Sequence, residues 1–142
     1  MRMIRALLLL SVLLALQSDA AQQHPIKAVA TVLQLHEAMI TPSSDALFDV
    51  TRKGPENDEQ WVALQNNAIV LAESGNLLML GNRAKDNGDW MKMSRALVDA
   101  GVVALKAAET KNLDSLVKAD DLIESACESC HVPYRDHGRM MR

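Results

Sequence analysis

Apolar residues recur at steps of three and four along four stretches of the chain, which is the spacing of one face of an α-helix. The stretches cover about residues 26–50, 58–80, 90–108 and 113–134. No stretch alternates apolar and polar residues in the way that a half-buried strand does. The pattern therefore predicts an all-α fold.

Breakers separate the four stretches and suggest where the helices begin. Pro42 interrupts the first stretch, and Thr41 directly before it is a candidate N-cap. Residues 81–88 are polar and turn-rich, Asp89 is a candidate N-cap of the third helix, and Asn112 of the fourth. Four apolar faces joined by short connections predict an antiparallel up-down four-helix bundle. We expect its first helix to be kinked or restarted at the proline.

The first twenty residues have the pattern of an export signal. Arg2 and Arg5 precede residues 6–16, a run of eleven that are all apolar except one, and a small-residue cleavage site ends at Ala20. Eleven apolar residues are too few to span a bilayer, which needs about 20. We interpret residues 1–20 as a secretory signal peptide; a buried N-terminal helix and an uncleaved membrane anchor are the alternatives.

The remaining chain, residues 21–142, has the size of a single domain. It contains four aromatic residues, so its core must consist mainly of Leu, Val, Ala and Met, which suits helices. The net charge of the full 142-residue chain is −3 and no long run of one charge occurs, which gives no indication of nucleic-acid binding.

Both cysteines of the chain lie in the motif Cys127-Glu128-Ser129-Cys130-His131. Positions i, i+3 and i+4 share one face of a helix. Two thiols on that face can attach covalently to the two vinyl groups of a haem, and the imidazole that follows can bind its iron. The motif predicts one covalently bound haem c, with His131 as the proximal iron ligand.

Two other interpretations of the motif are a disulfide or redox-active dithiol, and a zinc site. A thioredoxin-like dithiol normally begins a helix that follows a strand, whereas Cys127 and Cys130 lie near the end of a predicted helix and precede a histidine. A zinc site needs a second pair of ligands, and the chain has no second Cys pair.

The chain resembles the class II c-type cytochromes, the family of cytochromes c′ and c556, over roughly residues 28–136. The similarity is nearly continuous from Ala104 through the haem motif, which this family carries near its C-terminus. An aromatic residue and an arginine follow the haem histidine in the family, and Tyr134-Arg135 stands there. The resemblance implies that Arg135 lies beside the proximal face of the haem.

The resemblance also implies a function. We expect a periplasmic mono-haem cytochrome that transfers one electron to and from redox partner proteins. The alternative is a five-coordinate, cytochrome c′-like protein that binds NO or CO. We expect no enzymatic activity, because no distal acid–base pair can be assembled near the haem. We expect no stable membrane insertion, and the resemblance allows a homodimer.

The sixth iron position is where the chain departs from the family. Relatives with a similar Pro-Ser-Ser-Asp segment commonly have a methionine six residues before the proline, whereas this chain has His36 six residues before Pro42. His36 lies on the apolar face of the first predicted helix, so it is a candidate sixth ligand. Met39, one turn later, is a second candidate. An open or apolar distal site is the third interpretation.

Overall fold

The computed structural model of the chain describes residues 26–135, apart from the side chain of Thr51. The predicted signal peptide, residues 1–20, lies outside the described residues. Four helices account for most of residues 26–135, and no strand occurs among them. The predicted all-α class is thus confirmed. No helix in this part of the chain is both long and apolar enough to cross a membrane.

The helices follow the predicted stretches closely. Helix α1 spans residues 32–53, and a short 3₁₀ turn, Gly81–Arg83, follows the second helix. The other three helices are α2 (Asp58–Leu78), α3 (Asp89–Glu109) and α4 (Leu113–Tyr134).

Helix α1 changes its winding before the proline. It begins after a capping box at Thr31 as an α-helical turn, Val32–Leu35, widens into a π-helical turn, His36–Ile40, and continues as an α-helix, Thr41–Lys53. The predicted N-cap at Thr41 is wrong, because this residue has helical backbone angles and its N–H donates to the His36 carbonyl. Proline has no N–H and crowds the turn before it. The wider π turn accommodates Pro42 without ending the helix.

Side chains accept hydrogen bonds from backbone N–H groups at the starts of α3 and α4. The sequence predicted the side chain at α4 but not the one at α3. The Asn112 side chain accepts a hydrogen bond from the backbone N–H three residues on, which confirms it as the N-cap of α4. Asp89 is the first residue inside α3 and does not cap it. The N-cap is Gly88, and the carboxylate of Asp86 accepts hydrogen bonds from the backbone N–H groups of Gly88 and Trp90 at this end of the helix.

The helices pack against one another around a shared core. Helix α1 contacts α2, α2 contacts α3, α3 contacts α4, and α4 contacts α1. Side chains from all four helices form one buried cluster. Its fully buried large members are Leu47, Leu64, Leu71, Leu116 and Ile123. Burial of these apolar side chains is the main source of stability in such a fold.

Candidate haem site

Two histidines from different helices face each other at the contact between α1 and α4. His36 opens the π turn of α1, and His131 lies in the last turn of α4. Their ring centroids are 5.5 Å apart and the ring planes are tilted by 41°. The two imidazoles, 95 residues apart in the chain, are therefore close enough to act on one bound group.

The two thiols lie on α4 beside this histidine pair. Cys127 and Cys130 are both half-buried and are not joined in a disulfide. Burial raises the pKa of both thiols, and the neighbouring Cys130 and Glu124 add to the effect at Cys127. A reactive dithiol has a lowered pKa and usually begins a helix. The surroundings of this pair therefore do not favour redox-active dithiol chemistry.

Two cavities meet at the histidines. The larger has a volume of about 920 Å³, which falls within the range of about 300–1,000 Å³ that is typical of ligand sites. The smaller has about 20 Å³ and extends towards Cys127 and the interior of the bundle. His36, Cys130 and His131 border both cavities. A bound group that occupied the larger cavity would therefore contact a thiol and both imidazoles.

The charge state of His36 suits metal binding. Burial lowers the pKa of His36, and the nearby His131 and Arg135 lower it further. His36 is therefore neutral at neutral pH, and the neutral form is the one that binds a metal. Arg135 lies one turn after His131, with 3.5 Å between its Nη1 and the Nδ1 of His131. That distance is at the limit for a hydrogen bond.

Met39, the other predicted candidate for the sixth iron position, lies elsewhere. It is half-buried and packs against the core, but it borders neither of the cavities that His131 borders. It lies instead beside a shallow surface depression formed by residues 29–39 of the chain. Of the two candidates, the structure brings only His36 close to His131.

Sequence reasoning missed Arg83 and Trp90, which line the larger cavity. Arg83 is only 5% exposed, although it lies in the polar stretch that predicts a surface turn. Trp90 packs edge-on against Tyr134, with ring centroids 4.9 Å apart, and the Tyr134 hydroxyl donates a hydrogen bond to Asp86. This bond connects the end of α4 to the loop before α3. A charge in a turn usually stays in solvent, so only the structure reveals these roles.

One buried hydroxyl at the smaller cavity has no partner. Ser94 is 2% exposed, borders this cavity, and its Oγ makes no hydrogen bond within residues 26–135. Buried polar atoms are normally satisfied, so an unpartnered one indicates a missing group or water at that place. The same residues hold no cluster of three or more His, Cys, Asp or Glu side chains that could bind a metal ion.

Comparisons of the chain with protein-family models, with curated proteins and with solved structures give no significant match. The residues of the site are therefore the basis for assigning a function to this chain.

Proposed function

We propose that this chain is a class II c-type cytochrome that carries one covalent haem and transfers one electron at a time. The observation that carries the proposal is the position of His36 opposite His131, beside two thiols at positions i and i+3 of the same helix. The motif accounts for Cys127, Cys130 and His131 alone. The sixth-ligand candidate is separate support, because it comes from a different helix.

The donor set fits a haem iron. In zinc sites an imidazole nitrogen lies about 2.0–2.1 Å from the metal. Two imidazole rings on opposite sides of a metal ion of similar size would therefore have centroids roughly 6 Å apart. The observed 5.5 Å is slightly shorter. A small outward shift of either ring would accommodate an iron between them. The adjoining cavity and the unpartnered Ser94 hydroxyl are consistent with a group that belongs there.

The side chains would divide the work of holding the cofactor. Bound haem would supply an iron that changes valence by one electron. Cys127 and Cys130 would hold the haem covalently through thioether bonds. His131 and His36 would hold its iron through imidazole nitrogens. A packed helical frame would hold these ligands in place, and electron transfer would then need little rearrangement.

The finer features of the fold and the cellular context belong to the same proposal. We infer an antiparallel up-down bundle, supported by short connections and by the closed cycle of helix contacts, with a kink in α1 at Pro42. The π turn before the proline supports the kink, because such turns commonly accompany bends. The N-terminal pattern supports export to the periplasm, where redox proteins would be the partners.

Mass spectrometry and absorption spectroscopy of the exported protein test the proposal together. We expect a mass that exceeds the polypeptide by one haem, and a low-spin six-coordinate iron without the absorption band that reports an iron–thioether bond. A stable chain without haem would contradict the proposal. A high-spin iron that binds CO in the wild type would favour the alternative, a five-coordinate gas-binding protein.

A further inference from the structure

Arg83 is a buried cation held by the backbone rather than by an acid. Its Nε donates to the Ala30 carbonyl at 2.9 Å, and its Nη1 donates to the Leu77 carbonyl at 3.2 Å. A guanidinium has five N–H groups, so three of them remain for other partners. The two carbonyls fix the orientation of the side chain at the edge of the larger cavity.

The guanidinium of Arg83 forms no ion pair with a carboxylate among residues 26–135. A buried charge without a partner is costly, and natural proteins pair such charges or bind an ion with them. Because Arg83 is 5% exposed and borders the cavity, the anion that compensates it is expected to come from the ligand of that cavity.

The other charged groups around the cavity leave it positive overall. Lys85 in the loop before α3 and Arg135 at the end of α4 add two cations, whereas Glu37 in α1 contributes one carboxylate. The remaining titratable groups on its border are His36, His131, Cys130 and Tyr134. A ligand with a negative end would therefore be favoured there by the field of the surrounding side chains.

We propose that Arg83 binds a carboxylate of the haem, and so orients the cofactor and raises its reduction potential. The inference rests on the proposed function, because haem is the ligand that would supply the carboxylate. Haem carries two propionate groups at the edge away from the vinyl groups. Attachment at Cys127 and Cys130 would fix one edge, and Arg83 would then hold the opposite one. Arginine suits this role because its planar fork binds a carboxylate through two parallel hydrogen bonds.

Three variants of the haem-loaded protein separate charge from structure. Arg83→Gln removes the cation, Arg83→Lys keeps a cation without the fork, and Arg52→Gln removes an exposed cation as a matched control. Arg52 lies 16 residues after His36 in α1, which is about 24 Å along a helix. We expect a lower reduction potential for Arg83→Gln, because losing a nearby cation favours the ferric form. Arg83→Lys should fall between Arg83→Gln and the wild type, because it keeps the charge and loses the fork. Arg52→Gln should stay close to the wild type.

The wild type allows a test that needs no variant. With ¹³C at the haem carboxyl carbons, NMR measures the pKa of each propionic acid group. A carboxyl group in a model peptide titrates at about 4.3, and a neighbouring cation lowers this by about one to three units. We expect one propionate in the wild type with a pKa that is lowered by at least one unit. Arg83→Gln should return it to the ordinary range.

The outcomes distinguish this inference from the proposed function. A chain without haem overturns both. A haem-loaded protein whose two propionates titrate at ordinary values overturns the role of Arg83 alone. So does an Arg83→Gln variant that is less stable but keeps the wild-type potential, because Arg83 then only holds the carbonyls of Ala30 and Leu77.

Discussion

Helices α2 and α3 approach each other closely, whereas the contact between α1 and α4 is more open. A Cβ added to Gly75 would lie 2.7 Å from Val98 Cγ2, and one added to Gly101 would lie 2.8 Å from the Ala72 nitrogen. Such distances leave no room for a side chain, so the backbones of α2 and α3 touch at these glycines. The backbone carbonyl of Ser94 is part of this tight contact, and the Ser94 side chain is the one whose hydroxyl has no hydrogen-bond partner.

The end of the molecule where α1 meets α4 is open by comparison. The larger cavity lies there, and two large apolar side chains on its border are exposed: Val29 is 83% and Leu33 is 66% exposed. The contrast teaches that the α2–α3 contact is closed by packing within the chain, whereas the end where α1 meets α4 borders a cavity. Under the proposed function haem would occupy this cavity, so the two regions should respond differently to mutation.

Replacing both cysteines should have the largest effect. Cys127→Ala combined with Cys130→Ala removes both attachment points, so we expect no covalent haem and loss of the order between α1 and α4. Mass spectrometry measures the first effect and hydrogen exchange of the four helices the second. Ser129→Ala, in the same motif, is the matched control and should retain haem. A double variant with wild-type protection in α1 and α4 would show that this region does not depend on the cofactor.

Replacing His36 should change the iron while leaving the attachment intact. His36→Ala should give a high-spin iron that binds CO readily, because one of the two imidazoles is lost. His36→Met should raise the reduction potential and introduce the absorption band of an iron–thioether bond, since thioether ligation favours the ferrous state.

Met39→Ala is the control for this experiment, because Met39 does not border the cavities at His131. It should leave the iron low-spin. If Met39→Ala gives the high-spin form and His36→Ala does not, the assignment of the sixth ligand to His36 is wrong.

Gly101→Ala tests the closed α2–α3 contact. The new methyl group would meet backbone atoms of Ala72 below 3.0 Å, so the helices must separate. Overpacking of this kind costs about 1–3 kcal/mol of unfolding free energy. Denaturant unfolding measures the loss, and the haem spectrum should not change. Val102→Ala, at a half-exposed neighbouring position, should stay within about 0.5 kcal/mol of the wild type. Equal stability of Gly101→Ala and the wild type would contradict the close approach.

The sequence predicted the helices well because their signals are local. Apolar spacing marks α2, α3 and α4 to within a few residues, and Asn112 acts as its residue type suggests. The predicted N-cap at Thr41 was wrong for a local reason too. Proline disfavours a regular α turn before it, but a π turn accommodates it, and the residue types do not reveal this.

The site was predictable only in part. The spacing of Cys127, Cys130 and His131 predicts a haem attachment site from five consecutive residues. These candidates could therefore be named without the structure. The position of His36 opposite His131 depends on how two distant helices pack. The burial of Arg83 depends on carbonyls from α2 and from the segment before α1. No local pattern encodes such long-range contacts, and a charged turn residue looks solvated from sequence alone.

The smallest effect should come from Tyr134, which connects the open end to the loop before α3. Its hydroxyl donates to Asp86, and this bond raises the pKa of Tyr134 to about 12 and lowers that of Asp86. The phenol therefore contributes stability below pH 10 that is lost as the pH rises towards 12, and the carboxylate contributes stability above pH 3.8 that is lost in acid.

Tyr134→Phe should lower the Tm slightly at pH 7, and the difference from the wild type should shrink between pH 10 and 12. Asp86→Asn keeps an acceptor oxygen without the charge, so it should weaken this alkaline dependence. A Tm difference between Tyr134→Phe and the wild type that is constant from pH 7 to 12 would show that the hydroxyl is not bound to Asp86.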